Sequence, residues 1–105
     1  MKATSTIDNG EDHSTLRVAG ELTVQAAEEF QAQLSELIQL NSPHLEISLS
    51  EITAVDVSAM QLIQASRTAA FEAGKTFSVT GPDEEGVRSL ITRTGFTKLL
   101  NITTT

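Results

Sequence analysis

The stretch Ser50-Glu51-Ile52-Thr53-Ala54-Val55-Asp56-Val57-Ser58-Ala59-Met60-Gln61-Leu62-Ile63 decides how the chain is read. Upstream, Leu45, Ile47 and Leu49 alternate with Glu46, Ser48 and Ser50, the pattern of a strand with one apolar face. Ile52 and Val55 carry the apolar character through a short connector. Downstream, Ala59, Leu62, Ile63, Ala69, Ala70 and Ala73 recur at three- and four-residue steps, which is helical spacing, and Gly74 is a fitting terminator with Lys75 just past it. A carboxylate, Asp56, and a hydroxyl, Ser58, therefore sit at a strand-to-helix junction. The first N–H groups of a helix have no partner inside it, and the helix dipole is positive there.

Two readings of that junction compete. Ser58-Ala59-Met60-Gln61 fits the S-x-x-Q capping box, and Asp56 is itself an acceptable cap. Alternatively, a serine at a helix start suits phosphorylation, because the added dianion lies beside exposed N–H groups. The helix terminus favours such a phosphate by about 0.3–1 kcal/mol, enough to leave the fold in place. A partner packed over Ser58 would instead meet an unpaired dianion, and a penalty of about 3 kcal/mol weakens binding more than a hundredfold. Asp56 can orient the hydroxyl and then repel the finished phosphate.

Working outward, Ala3–Asp8 suggests a short edge strand and Asn9-Gly10 a turn, before the alternating Thr15-Leu16-Arg17-Val18. Thr23 is a plausible N-cap for a helix whose apolar stripe is Val24, Ala27, Phe30, Leu34, Leu37 and Ile38, ending near Leu40 because Asn41 and Pro43 follow. Phe77 and Val79 mark a third short strand. Gly81-Pro82-Asp83 turns into a last helix with Asp83, Glu84 and Glu85 at its positive end and Val87, Leu90 and Ile91 on its apolar face. Gly95 ends that helix, and Phe96, Leu99, Leu100 and Ile102 form an apolar tail that must dock. Strands alternating with helices predict crossover connections and a mixed sheet.

At 105 residues the chain reads as one domain, 1–105, burying about 65% of its unfolded surface. An apolar content of 39% makes disorder an unsuitable description. The absence of cysteine removes disulfides, thiolate metal sites and thiol nucleophiles together. No secretory h-region or membrane-length apolar run occurs, so a cytoplasmic location is expected. Fourteen acidic against seven basic residues give a net charge of −7, which argues against nucleic acid and anionic membrane as direct partners and favours a basic protein.

No catalytic site, metal site or cofactor is expected. His13 and His44 lack zinc-ligand spacing and read as surface imidazoles. A Ser58–His44–Asp56 hydrolase triad would need a G-x-S-x-G elbow, and none occurs; phosphate-binding glycine loops are also missing. Arg88, Arg93 and Lys98 make a thin basic stretch without interleaved aromatics, and Met60 reads as core filler or a contact residue.

The run from Leu45 to Ile63 resembles the signature of STAS domains, the fold of anti-sigma factor antagonists. In that family an apolar strand and connector lead to Asp-Ser-Ser-Gly-Leu or a close variant; here the residues are Asp56-Val57-Ser58-Ala59-Met60. Gly20-Glu21-Leu22, Phe77-Ser78-Val79-Thr80 and Thr94-Gly95-Phe96-x-x-Leu99 are similar to other family segments. The resemblance implies an α/β fold with a STAS-type mixed sheet of four to five strands and three to four helices. It implies a non-enzymatic protein-binding module, phosphorylated on Ser58 by an anti-sigma factor that is also a serine kinase and reset by a phosphatase. It places partner contacts at Asp56, Val57, Ser58, Ala59, Met60 and Thr23. Val57 replaces the first motif hydroxyl, Ala59 the glycine, and Thr23 and Ser48 frequent aspartates. The alternative is a STAS subunit that is not phosphorylated, within a signalling scaffold, a chemotaxis cluster or a lipid-transport ATPase complex.

Overall fold

The computed structural model describes residues 3–82 and 85–94, with the backbone of 102–103. The strands are β1 (Thr4–Asn9), β2 (His13–Leu22), β3 (His44–Val55), β4 (Thr76–Thr80) and β5 (Ile102–Thr103). The helices are α1 (Ala27–Gln39), α2 (Val57–Glu72) and α3 (Glu85–Thr94), with a 3-10 turn over Val24–Ala26 leading into α1. The sheet runs β1-β2-β3-β4-β5, with β1 antiparallel to β2 and every later pair parallel.

Each crossover moves one strand along in the same direction, so crossovers of the usual hand place all three helices on one face. The cross-strand register agrees. One row holds Ile7, Leu16, Ile47 and Val79; the row beside it holds Thr6, Arg17, Ser48 and Thr80. Because side chains alternate between faces, this one-residue offset separates an apolar face from a polar one. The apolar face packs with Phe30, Leu34 and Leu37 of α1, Met60, Ile63 and Ala70 of α2, and Val87 and Ile91 of α3 into one buried cluster.

The strand pattern ends later than the sequence suggests. Ile52 and Val55 belong to β3 itself, because Gly20 and Leu22 of β2 pair with them, and two register shifts absorb the extra residues. At the far end of α2, Gly74 (φ +78°) supports a Schellman cap. Its N–H donates to Phe71 O (3.0 Å), and Lys75 N–H donates to Ala70 O (2.9 Å). The Lys75 ammonium reaches across to Leu40 O and, at 2.9 Å, Ser42 O, which ties α2 to the carbonyl end of α1. The buried Ser14 and Ser42 hydroxyls meet at 2.5 Å and link the β1–β2 turn to the same corner.

Two sequence-based caps differ from what forms. Thr23 makes no side-chain cap; its carbonyl accepts from Ala26 N–H at 2.9 Å and the chain enters α1 through the 3-10 turn. Ser58 is not the N-cap of α2 and no S-x-x-Q box closes, because Asp56 holds the extended cap position and accepts from Ala59 N–H. Asp83, Glu84, Gly95 and the apolar tail through Phe96, Leu99 and Leu100 lie outside the described residues.

Gly81 takes φ +82°, and a Cβ there would lie 2.7 Å from Ser50 N and 2.8 Å from the Leu49 carbonyl carbon. Gly74 has similar φ but open space around it. Alanine at Gly74 is therefore expected to cost about 1–2 kcal/mol from backbone strain alone. Alanine at Gly81 should cost clearly more, since the clash is with backbone. Denaturant titration of the two variants checks the order, which an equal loss would contradict.

Candidate functional site

The end of β3 delivers Asp56, whose backbone N–H donates to Leu22 O at 3.3 Å. This bond sets the ends of β2 and β3 side by side, so the two connections that leave them start together. From there the Asp56 carboxylate collects three donors. Oδ1 accepts from the Ser58 hydroxyl at 2.7 Å and from Ala59 N–H at 3.1 Å. Oδ2 accepts from Val24 N–H, in the turn before α1, at 2.7 Å. One side chain thus fastens the start of α2, the Ser58 hydroxyl and the entrance of α1.

Partial burial pushes the Asp56 carboxyl up. The Ser58 hydroxyl, with the N–H groups of Ala59, Val24 and Ser58, outweighs it and holds the pKa below its ordinary value. The carboxylate is therefore charged at neutral pH, and the Ser58 proton points at it.

The remaining residues singled out in the sequence divide into two groups. Ser58, Asp56 and Thr23 are half-buried at the surface, and Val57 is 49% exposed. Thr23 adjoins the cluster because the next residue, Val24, donates to Asp56. Ala59 and Met60 instead point inward, 0% and 2% exposed. Helical geometry gives the reason: with Asp56 as cap, positions three and four residues on turn toward the sheet.

The imagined Ser58–His44–Asp56 triad is not assembled. His44 begins β3 and Asp56 follows its end, so they stand at opposite ends of a twelve-residue strand. His44 Nδ1 meets Thr76 Oγ1 at 2.6 Å, and His13 Nε2 meets Glu46 Oε1 at 3.0 Å. Among the described residues, no three His, Asp or Glu side chains gather closely enough to hold a metal ion, and no helix is long and apolar enough to cross a membrane.

Two features escaped the sequence reading. Val24, which helical spacing puts on the apolar stripe, is 66% exposed, because the 3-10 turn rotates it off that face. Leu90 of α3 joins Val55, Asp56, Val57 and Met60 around a hollow of about 250 Å³ beside the cluster. The signal available for the first was Thr23-Val24 following Leu22 without a helix-forming first turn; for the second there was none, since it requires the packing of α3.

A family model described as "Mlab, STAS domain" matches residues 5–101. Among solved structures, the anti-sigma factor antagonist SpoIIAA in its unphosphorylated form is similar at 14% identity and TM-score 0.77, covering 97% of this chain and 88% of its own. An anti-sigma factor antagonist from Mycobacterium paratuberculosis is similar at 21% identity and TM-score 0.75, covering 96% and 85%. A sulfate transporter family protein from Wolinella succinogenes is similar at 12% identity and TM-score 0.69, covering 89% and 75%. No curated protein matches the chain.

Replacing Asp56 with alanine removes the cap and strands three donors, and should cost about 1–2 kcal/mol. Removing only the Ser58 hydroxyl should cost about 1 kcal/mol or less. A lowered carboxylate pKa contributes stability above the unfolded value and loses it as pH falls through the folded one. The stability gap between the wild type and Asp56→Asn should therefore be constant near neutrality and shrink below about pH 4. Urea unfolding across that range reads it, and a gap that widens on acidification would contradict the assignment.

Proposed function

Because the chain belongs to the STAS domain family, we propose that it is a regulatory protein-binding module of the anti-sigma factor antagonist kind, acting in the cytoplasm and switched by phosphorylation of Ser58. A partner serine kinase adds the phosphate and a phosphatase removes it. The observation that carries this reading is the Ser58 hydroxyl itself, half-buried at the second position of α2 and hydrogen-bonded to a charged Asp56 at 2.7 Å.

The geometry gives each step a physical basis. In the free protein Asp56 fixes the hydroxyl rotor by accepting its proton. Phosphorylation removes that donor and sets a dianion beside the carboxylate. Two unit charges about 4 Å apart repel by roughly 1 kcal/mol in water and about 4 kcal/mol near a protein surface. The positive end of α2 offsets about 0.3–1 kcal/mol of this. The net strain falls on the Asp56 clasp and leaves the buried cluster untouched. Recognition at the surface changes while the scaffold persists, which is what a reversible switch requires.

A second reading is a STAS subunit that binds its partner without being phosphorylated, in a signalling scaffold, a chemotaxis cluster or a lipid-transport ATPase complex. The description of the matching family, which names Mlab rather than an anti-sigma factor antagonist, favours it.

Phosphosite mapping of the protein recovered from its native cells separates the two. The switched reading expects one phosphate, on Ser58, and none on Ser58→Ala. It also expects Ser58→Asp to remain folded, at a cost of up to about 3 kcal/mol, and to weaken partner binding by about tenfold or more, ~1.4 kcal/mol. Ser58 unmodified in every growth condition, with Ser58→Asp binding as tightly as the wild type, would overturn it in favour of the second reading.

A further inference from the structure

We propose that the free edge of β1 is a homotypic interface, at which two copies of the chain pair their β1 strands antiparallel about a twofold axis at Ile7 and join two sheets into one. β1 is an edge strand of six residues, Thr4–Asn9, paired with β2 along its length without a register shift. A sheet edge presents a row of unpaired backbone groups, and folded proteins usually blunt it with proline, lysine, a bulge or brevity. β1 has none of these. It contains neither proline nor lysine, and its one charged side chain, Asp8, is held by Arg17 at 2.8 Å. The strand on the opposite edge, β5, is only two residues long.

The register of the hairpin names the groups on that edge. Gly10 N–H donates to His13 O at 3.1 Å, so the hydrogen-bonded rungs alternate from there: Asp8 with Thr15, Thr6 with Arg17, Thr4 with Ala19. The N–H and C=O of Ser5, Ile7 and Asn9 therefore point away from β2. That set is symmetric about Ile7. Antiparallel pairing centred there sets Ile7 against Ile7 of the second copy and Ser5 against its Asn9, which closes about six hydrogen bonds. On the helix-bearing face it lays two half-buried isoleucines side by side. On the open face it sets the Thr6 hydroxyl, a donor, opposite the Asp8 carboxylate, an acceptor. A second copy supplies this match by construction, which an unrelated strand does not. Like charge opposes the union: each chain carries −7, Glu11 stands in the turn after Asn9, and Glu29 lies beside Ala3 and Ser5. Salt screens exposed charges, so association strengthens as salt rises. One short edge with one apolar pair is a small interface, so the dimer is weak. The twofold stands perpendicular to the sheet. It keeps the helices of both copies on one face and turns the two Ser58 rims in opposite directions, so dimerisation covers neither hydroxyl.

Sedimentation velocity on the full chain, from micromolar to millimolar concentration and at low and raised salt, should show a monomer–dimer equilibrium that moves toward dimer with both. Ser5→Pro removes one outward N–H and spares the rungs to β2; it should weaken the dimer about tenfold or more, with the fold retained by circular dichroism. Cross-linking reads the register independently of that variant, because the chain has no cysteine of its own. Ile7→Cys should oxidise to a disulfide-linked dimer, and Thr4→Cys should not, since its two copies stand too far apart. A monomer at every concentration, a dimer that salt dissolves, or a dimer that a folded Ser5→Pro leaves unchanged would overturn the proposal. So would cross-linking at Thr4 as ready as at Ile7, or a chain that stays monomeric while β1 takes up an extended peptide from another protein.

Discussion

One carboxylate joins what the topology would otherwise leave separate. The chain leaves β2 and β3 at neighbouring points and must enter two helices from there. Backbone pairing ends at Asp56 N–H and Leu22 O, and beyond that bond the Asp56 side chain connects the two departures. Its three donors come from α2, from the turn before α1 and from Ser58. The position of the hydroxyl is therefore not an independent property of α2. It is coupled to where α1 begins, and a charge placed on Ser58 acts on both helices at once through the carboxylate they share.

Much of this was legible in the sequence, and the legible part has a common cause. Alternation in Leu45, Ile47 and Leu49 and the helical stripe of Phe30, Leu34 and Leu37 report burial on one face, which sequence spacing records directly. The pairing of Asp56 with Ser58 was also readable, since both stand within one turn. The extension of β3 to Val55 was not, because it depends on partners in β2 that lie more than thirty residues away. Nor was the role of Val24, whose N–H is invisible to any pattern of side chains. The choice between Ser58 and Asp56 as cap turned on backbone conformation: Asp56 at φ −122° and ψ 174° is extended, and Ser58 is already helical. Two residues that both suit a cap cannot be ranked by type alone.

Family membership and local geometry answer different questions. The fold is shared with proteins of 12–21% identity, an anti-sigma factor antagonist and a sulfate transporter family protein among them. A scaffold so tolerant of substitution does not define a partner. At the surface around Asp56, Val57 is exposed and Leu90 closes an apolar hollow. Ala59 and Met60 lie buried beneath them and pack in the core.

The single-direction march of the parallel strands has a consequence for how the protein can diverge. Thr23, Asp56 and Gly81 follow β2, β3 and β4 and so crowd one rim of the sheet, while the turns before those strands gather at the other. That second rim is where Lys75, Ser14 and Ser42 lock the loops together. Folding constrains substitution at the locked rim, and at the opposite rim the Asp56 cap and the close backbone approach at Gly81 constrain it as well. Both rims are thus held by contacts that the architecture itself requires, and substitution at either is felt first in how firmly the sheet keeps its helices.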